Sequence, residues 1–375
     1  MSRVEVVEVE SSAQLKRFIR FPMRLYRDDP NYVAPLLVER KEFFDPDKNP
    51  FFRSARVKYF LAERDGQVVG RVATCINYLH NNYHQEKTGF FGFLDTIDEQ
   101  EVASMLLKVA MITLKKEGME RMRGPMNFST NHECGFLVEG FDSPPVVMMT
   151  YNKPYQVKLA EAFGLKKVMD LLAFQLTKEV GIPPRIRKVV EKLRQRSGIS
   201  IRSINMSDFD REIDRVHQVY NEAWAYNWGF VPMDKEEFVH MAAQMKQIID
   251  PALVLIAEDG DRPVGFSLAL PDINQALIHL NGRLFPFGLL KLLWHTKIRS
   301  KIDTVRLVTF GVVPDHQKRG IDSMLYFETF ERGLKRGYTR AELSWILETN
   351  ELMIEGVRNM GAREYKRYRI LEMPL

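Results

Sequence analysis

The first residues set Val4, Val6, Val7 and Val9 against Glu5, Glu8 and Glu10, a near-alternation that predicts a strand with one face in a core. Further on, apolar runs flank a polar Gly turn twice, a hairpin pattern on each occasion. Ala62-Glu63 followed by Val69-Gly70 recurs as Ala257-Glu258 followed by Val264-Gly265, at a spacing of 257 − 62 = 195. Phe91-Gly92 and Ser104-Met105-Leu106 recur as Phe310-Gly311 and Ser323-Met324-Leu325, at 310 − 91 = 219, each copy reading as strand, loop and amphipathic helix. Ala162-Phe163-Gly164-Leu165 and Asn359-Met360-Gly361-Ala362 end the two halves at 361 − 164 = 197.

Three matches in one order predict a tandem repeat. The growth in spacing places about 24 extra residues in the second half near 275–300, and its return places about 22 in the first half near 124–155. Pro183-Pro184 and the basic helical stretch 185–196 separate the halves. The expected fold is α/β, two tandem domains over 1–180 and 198–375.

Composition narrows the function classes. The 375 residues are 45% hydrophobic, enough for buried cores and too much for a disordered chain. Cys75 and Cys134 are the two cysteines, too few for a disulfide framework or a four-Cys zinc site, and no metal is expected. The longest apolar stretch, 284–294, is broken by Pro286, Gly288 and Lys291 and falls short of the roughly 18 residues a membrane span needs. The cytoplasm is the expected compartment. A net charge of +5 favours anionic partners. Lys and Arg are spread along the chain and no DNA or RNA motif appears, so nucleic acid is not the expected partner.

The segment 307–314 reads as a strand stopped by Pro314, and Met324 to Lys335 as a periodic helix. Between them lies the loop Gln317, Lys318, Arg319, Gly320, Ile321, Asp322, Ser323. A strand, a basic Gly-containing loop and a helix start make a phosphate cradle, since free N–H groups and the positive end of the helix dipole converge there. An ordinary turn with a solvated basic face is the alternative reading.

Val312-x-Pro314-x-x-Gln317-x-x-Gly320 resembles the acyl-CoA pyrophosphate loop of the GNAT superfamily of N-acyltransferases, written Gln/Arg-x-x-Gly-x-Gly/Ala. The strand 340–347, Asn350 and Gly361 eleven residues later are similar to that family's Asn, helix and Gly-Phe signature, and the hairpin 253–270 sits where its second and third strands belong. The likeness runs from Ser200 to Leu375 in order, and more weakly over 3–176 through the repeat. It implies tandem GNAT-like domains, each a mixed, mostly antiparallel sheet flanked by helices. It also implies acetyl-CoA or a longer acyl-CoA as co-substrate, bound along the main chain of Phe310 and Val312, at the loop and by Asn350, for which capping the helix that begins there is the equal alternative. Direct attack by an amine on the thioester follows, with no Ser or Cys nucleophile.

Two positions depart from the family pattern. Asp322 stands where the family has Gly or Ala, and Val357 where many members have the Tyr that protonates the leaving thiolate. Tyr326, Tyr365 and Tyr368 are the candidate replacements. Glu342 and Glu348, at alternate positions of the strand preceding Asn350, are expected to share one face and are the candidate base or amine anchor, with exposed strand carboxylates as the alternative.

At the 219 spacing the loop maps onto Asp98-Glu99-Gln100-Glu101, whose carboxylates repel a pyrophosphate, so the first domain is expected to support and recognise substrate. In its insertion Asn131, His132 and Glu133 are candidate amine contacts, and a polar packing loop is the alternative. The second insertion joins apolar bulk, Leu277 to Trp294, with Arg283, Lys291, His295, Lys297, Arg299 and Lys301. That combination suits an anionic lipid surface, a wall for an acyl chain, or a packing helix. The resulting expectation is an acyl-CoA-dependent N-acyltransferase acting on a small amine or amino-lipid, with peripheral membrane contact. Similar two-domain GNAT-like proteins include bacterial acyl-CoA transferases of sphingolipid synthesis. An aminoacyl-tRNA-dependent transferase and a non-catalytic acyl-CoA-binding or lipid-surface protein are the rivals.

Overall fold

The computed structural model describes residues 3–294 and 302–375. His295, Lys297, Arg299 and Lys301 of the second insertion lie outside the described residues. The chain divides into two compact units, one of Met1–Leu171, Ala276–His295 and Lys366–Leu375, the other of Leu172–Gln275 and Thr296–Tyr365.

In the first unit, strands Glu5–Glu8, Ala55–Arg64, Gln67–Asn77 and Thr88–Thr96 pair antiparallel in that order, and Thr88–Thr96 then pairs parallel with Arg121–Gly124. Helices Ser12–Leu25 and Gln100–Lys116 contribute Phe18, Ile19, Val102, Leu106 and Leu107 to its core. The first of them starts on a capping box, in which Ser11 and Gln14 satisfy each other's backbone N–H groups.

The second unit repeats this order. Ile199–Ser203, Val254–Asp259, Arg262–Pro271 and Thr304–Val312 pair antiparallel, and the last pairs parallel with Arg340–Leu347. Helices Phe209–Trp224 and Ile321–Arg336 supply Val216, Val219, Met324 and Leu325 to a core with Leu255, Val264 and Phe266. The two hairpins share a detail below the level of element order. Register slips between Ala62 and Glu63 in one and between Ala257 and Glu258 in the other, at the repeated dipeptide.

The closing strands complete the sheets in an order the linear pattern does not give. Residues 172–177 of Lys166–Thr177 lie beside Arg340–Leu347 within the second unit. Residues 371–374 of Arg363–Pro374 pair with Arg121–Gly124 within the first. The helical stretch between the sequence halves is Pro184–Arg196, and it packs on Ile321–Arg336 through Arg187 to Glu331 at 2.7 Å and through Arg194 to Glu328. Among the described residues no helix is long and apolar enough to cross a membrane.

Candidate functional site

In the second unit, Arg262–Pro271 and Thr304–Val312 slip register between Leu268 and Ala269, whose partners are Thr309 and Leu307, leaving Val308 as an extra residue. The bulge twists the strand. The parallel ladder with Arg340–Leu347 ends at the same point, Leu307 opposite Leu343. From there no strand among the described residues pairs with this edge of Thr304–Val312.

The Val313 N–H donates to Val264 O at 2.9 Å, which fixes the phase of hydrogen bonding along this pair. By alternation Gly311 bonds to Phe266, while Phe310 and Val312 turn their main-chain groups to the open edge. Two side chains mark that edge. Trp224 Nε1–H donates to Phe310 O at 3.0 Å, and the Gln317 amide donates to Val312 O at 3.2 Å. Gly311 permits the first, since a Cβ there would lie 2.8 Å from Ala223 Cβ and 3.1 Å from Trp224 Nε1.

The loop then turns through Lys318, at φ 62°, and Gly320, at φ 79°, into Ile321–Arg336. Among the described residues no side chain caps this helix, and its first N–H groups have no acceptor within the helix. Asp322, in the first turn where its carboxylate could have met those N–H groups, is exposed and makes no cap bond. Gly320 is needed twice. Its φ is left-handed, and a Cβ would sit 2.5 Å from Leu193 Cδ1 of Pro184–Arg196. Lys318 and Arg319 are exposed, Ser323 is half-buried, and Ile321 is buried. Arg319 lies 3.7 Å from Asp259, whose carboxylate also meets His316 Nε2 at 3.0 Å. His316 Nδ1 lies 2.9 Å from Asp315. That contact and Arg262, 2.7 Å away, hold the Asp315 carboxyl down at about 2.

At the closed end, Arg306 and Glu342 are register partners. Arg306 donates to Ser344 Oγ at 3.0 Å, Ser344 bonds to Glu342, and the Tyr365 hydroxyl donates to Glu342. The Arg306 guanidinium also lies over the Trp345 ring at 4.9 Å. Glu342 is therefore a buried, networked carboxylate rather than an exposed strand residue. Glu348 lies beyond the strand, in the turn that follows, because Arg340–Leu347 stops one residue earlier. The two do not share a strand face.

Asn350 caps Glu351–Asn359, its Oδ1 accepting from the Met353 N–H at 3.2 Å. Val357 is fully buried among Ile354, Met360 and Leu343. Of the three tyrosines, Tyr326 is sealed by stacking on Phe310 at 4.3 Å, and burial with Asp322 raises its hydroxyl pKa. Tyr368 belongs to the first unit. Tyr365 alone of the three is bonded to Glu342.

The first unit is built differently at the equivalent place. Its insertion runs against Thr88–Thr96, where the Phe93 N–H donates to Asn127 Oδ1 at 2.8 Å. A Cβ on Gly92 would lie 1.9 Å from Met126 O. Backbone thus fills the gap beside this strand. Glu133 is paired with Arg40 at 2.6 Å and with Asn127 at 3.1 Å. Burial works against its ionised form, but these partners outweigh it and hold the carboxyl below its ordinary value. His132 Nδ1 lies 3.0 Å from Ser129 Oγ, and its ring meets Phe43 and Phe51 edge-on at 5.4 Å. The Asn131 N–H donates to Ser129 Oγ at 3.2 Å. Arg64 pairs with Glu99 at 2.6 Å beside the start of Gln100–Lys116, the helix that corresponds to Ile321–Arg336.

Arg306, Trp224, Leu193 and His316 were not singled out from the sequence. Arg306 carried a signal, since it is a lone charge between Val305 and Leu307 in a strand with no other charged residue. Trp224 and Leu193 carried none, being apolar residues at helical spacing like their neighbours.

No family model matches the chain. It is 38% identical over 363 residues to Protein YghO of Escherichia coli (strain K12), covering 96% of this chain and 92% of that one. It is 36% identical over 377 residues to the Bacterial ceramide synthase of Caulobacter vibrioides (strain NA1000 / CB15N), covering 99% and 98%. Among solved structures, a tandem GNAT protein from the clavulanic acid biosynthesis pathway matches with a TM-score of 0.58 at 11% identity, covering 99% of this chain and 98% of that one. A GCN5-related N-acetyltransferase from Sphaerobacter thermophilus matches at 0.54 and 14% identity, covering 99% and 95%. Relatives of this identity cover nearly the whole chain, so it belongs to one family with Protein YghO and the Bacterial ceramide synthase, and it has the fold of a tandem GNAT protein.

Proposed function

We propose that this protein is an acyl-CoA-dependent N-acyltransferase whose acceptor is the primary amine of a lipid-like molecule. The observation that carries the reading is the opening beyond Leu307 and Leu343, lined by the main chain of Phe310 and Val312 and leading to an uncapped helix start beside Lys318 and Arg319. An acyl-CoA fits this arrangement. Its pantetheine arm is an extended amide chain that pairs with a strand edge, and its pyrophosphate suits free N–H groups at the positive end of a helix.

In the reaction the amine nitrogen bonds to the thioester carbonyl carbon, the C–S bond breaks, and CoA leaves as the thiol. A main-chain N–H on the open edge polarises the carbonyl oxygen. Glu342 takes the ammonium proton through the Tyr365 hydroxyl bonded to it, and Tyr365 is the candidate to pass a proton to the leaving thiolate. Arg306 compensates the buried carboxylate. The first unit has backbone in its own gap and the Arg64–Glu99 pair at its helix start, so it is read as a supporting domain.

A ceramide is an N-acylated long-chain amino alcohol, and a relative with that name aligns over 99% of this chain, which favours a long-chain amine as acceptor. The test incubates the purified protein with acetyl-CoA or a long-chain acyl-CoA and with either ethanolamine or a long-chain amino alcohol. Thiol release is followed by absorbance and the amide by mass spectrometry. Matched thiol and amide, fastest with the long-chain amine, is the expected result. Acyl-CoA binding without turnover would leave a binding protein, and neither binding nor turnover would remove the reading altogether.

A further inference from the structure

Beyond the strand Arg262–Pro271 the chain enters the first unit, where Ala276, Leu277 and Leu280 are buried. Gly282 clamps it there. The Leu37 N–H donates to Gly282 O at 3.0 Å, φ is +72°, and a Cβ would lie 2.6 Å from Met23 Cε and 2.7 Å from Pro35 O. After this anchor the chain folds back on itself. Leu289 N–H bonds to Leu284 O at 2.8 Å, and Gly288 packs so closely that a Cβ would lie 1.9 Å from Arg283 O.

The turn and the short helix Gly288–Leu293 point apolar side chains outward. Phe285 is 79% exposed, Phe287 66% and Leu290 65%, and Leu289, Leu293 and Trp294 are exposed as well. Elsewhere the exposed large hydrophobics of the described residues are scattered along the chain, as on any soluble surface. This group of six falls within ten residues and needs an explanation. Its charge supplies one. Arg283 precedes it and Lys291 lies within it, both exposed, and the sequence from Asn281 to Lys301 contains five Lys or Arg and no Asp or Glu.

We infer that residues 283–294 form an interfacial anchor that inserts Phe285, Phe287, Leu290 and Trp294 into the headgroup region of an anionic bilayer, with Arg283 and Lys291 against lipid phosphates. Apolar side chains with neighbouring cations are the two attractions that interfacial binding combines. A six-residue helix is about 9 Å long, suited to lying in the surface and far too short to span it. A second copy is the poorer occupant, because a two-fold contact would bring each Arg283 and Lys291 toward its own duplicate across the patch. The inference does not depend on the acyl-transfer reading, although a lipid-like acceptor would reside in the same bilayer.

Co-sedimentation of the full chain with extruded vesicles tests it, comparing phosphatidylcholine alone with a phosphatidylglycerol mixture. Wild type is expected to bind the anionic vesicles at least ten-fold better than the neutral ones. Phe285→Ser/Phe287→Ser/Leu290→Ser is expected to lose at least ten-fold in binding, with its thermal melt unchanged because these side chains pack on little. Arg283→Glu/Lys291→Glu is expected to erase the preference for anionic lipid. Quenching of Trp fluorescence by brominated lipid, removed by Trp294→Phe, would place the segment at the acyl boundary. Equal vesicle binding by wild type and the triple serine variant would overturn the inference. So would absence of wild-type binding, or a wild-type dimer in light scattering that the triple variant converts to monomer without any lipid effect.

Discussion

Arg306 and Glu342 face each other one rung before the parallel ladder ends, 4.0 Å apart, with side chains only 2% and 1% exposed. Two opposite charges buried this deeply are tolerated because each answers the other's desolvation and Ser344 bridges them. Removing one member strands its partner. Arg306→Met alone is expected to cost about 3–5 kcal/mol of folding stability, and Arg306→Met/Glu342→Leu to recover most of it. Urea melts of the two single variants and the double variant measure this coupling, and strictly additive losses would mean the pair is not one unit.

Tyr365 separates catalysis from this structural role. Tyr365→Phe keeps the ring and removes only the hydroxyl that donates to Glu342. Under the proposed mechanism kcat is expected to fall roughly 100-fold or more, the scale of a positioned acid or base, with KM for the thioester nearly constant. A matched loss in both parameters with a lowered melting temperature would point to a packing role.

Lys318 and Arg319 supply positive charge at the helix start, and both are exposed, with Arg319 lying 3.7 Å from Asp259. Lys318→Glu and Arg319→Glu are expected to raise KM for acyl-CoA about ten-fold or more while leaving stability within about 0.5 kcal/mol. The wild-type KM is expected to rise with salt, since the pyrophosphate contact is screened. A KM indifferent to both charge reversal and ionic strength would move the phosphate site elsewhere.

Gly320 tests the loop's backbone instead. Any side chain there meets a left-handed φ of 79° and Leu193 at 2.5 Å. Gly320→Ala is expected to cost about 2–4 kcal/mol, combining backbone strain with overlap. In a Leu193→Ala background the same change is expected to cost less, because only the strain remains. Charge variants at Lys318 and Arg319 are therefore the cleaner probes of binding, since Gly320→Glu would report mostly on folding.

The sequence made one layer of this structure readable and hid another. Repeated dipeptides marked the hairpins down to their shared bulge, at Ala62-Glu63 and Ala257-Glu258. Gly164 and Gly361 marked helix ends, and both adopt positive φ, at 116° and 95°. These features are local, fixed by periodicity and by what glycine alone permits. What stayed hidden is pairing at a distance. Nothing in the alternation of Arg363–Pro374 names Arg121–Gly124 as its partner, and nothing in the period of Pro184–Arg196 says that Leu193 covers Gly320. The candidate site divided along the same line. Spacing pointed to the loop and to Asn350, which caps Glu351–Asn359, whereas the Arg306, Ser344, Glu342 and Tyr365 cluster depends on strands brought together by the fold.

Glu237 predicts a pH dependence that has no connection to the proposed chemistry. It is the third residue of Lys235–Met245, its N–H donates to Asp234 Oδ1 at 2.8 Å, and its side chain is buried. Burial first, and the Asp234 charge second, push its carboxyl up to about 7. The folded chain therefore holds this proton more tightly than the unfolded chain, whose carboxyl titrates near its ordinary value. Stability from the protonated form is complete below that ordinary value and is lost as pH rises through about 7, a change of order 3 kcal/mol. Glu237→Gln keeps the shape and removes the titration. Relative to wild type, the variant is expected to gain stability between pH 5 and pH 8 in urea melts, by up to about that amount. A wild type that became more stable than Glu237→Gln over the same range would reverse the sign and rule out a protonated Glu237 in the fold.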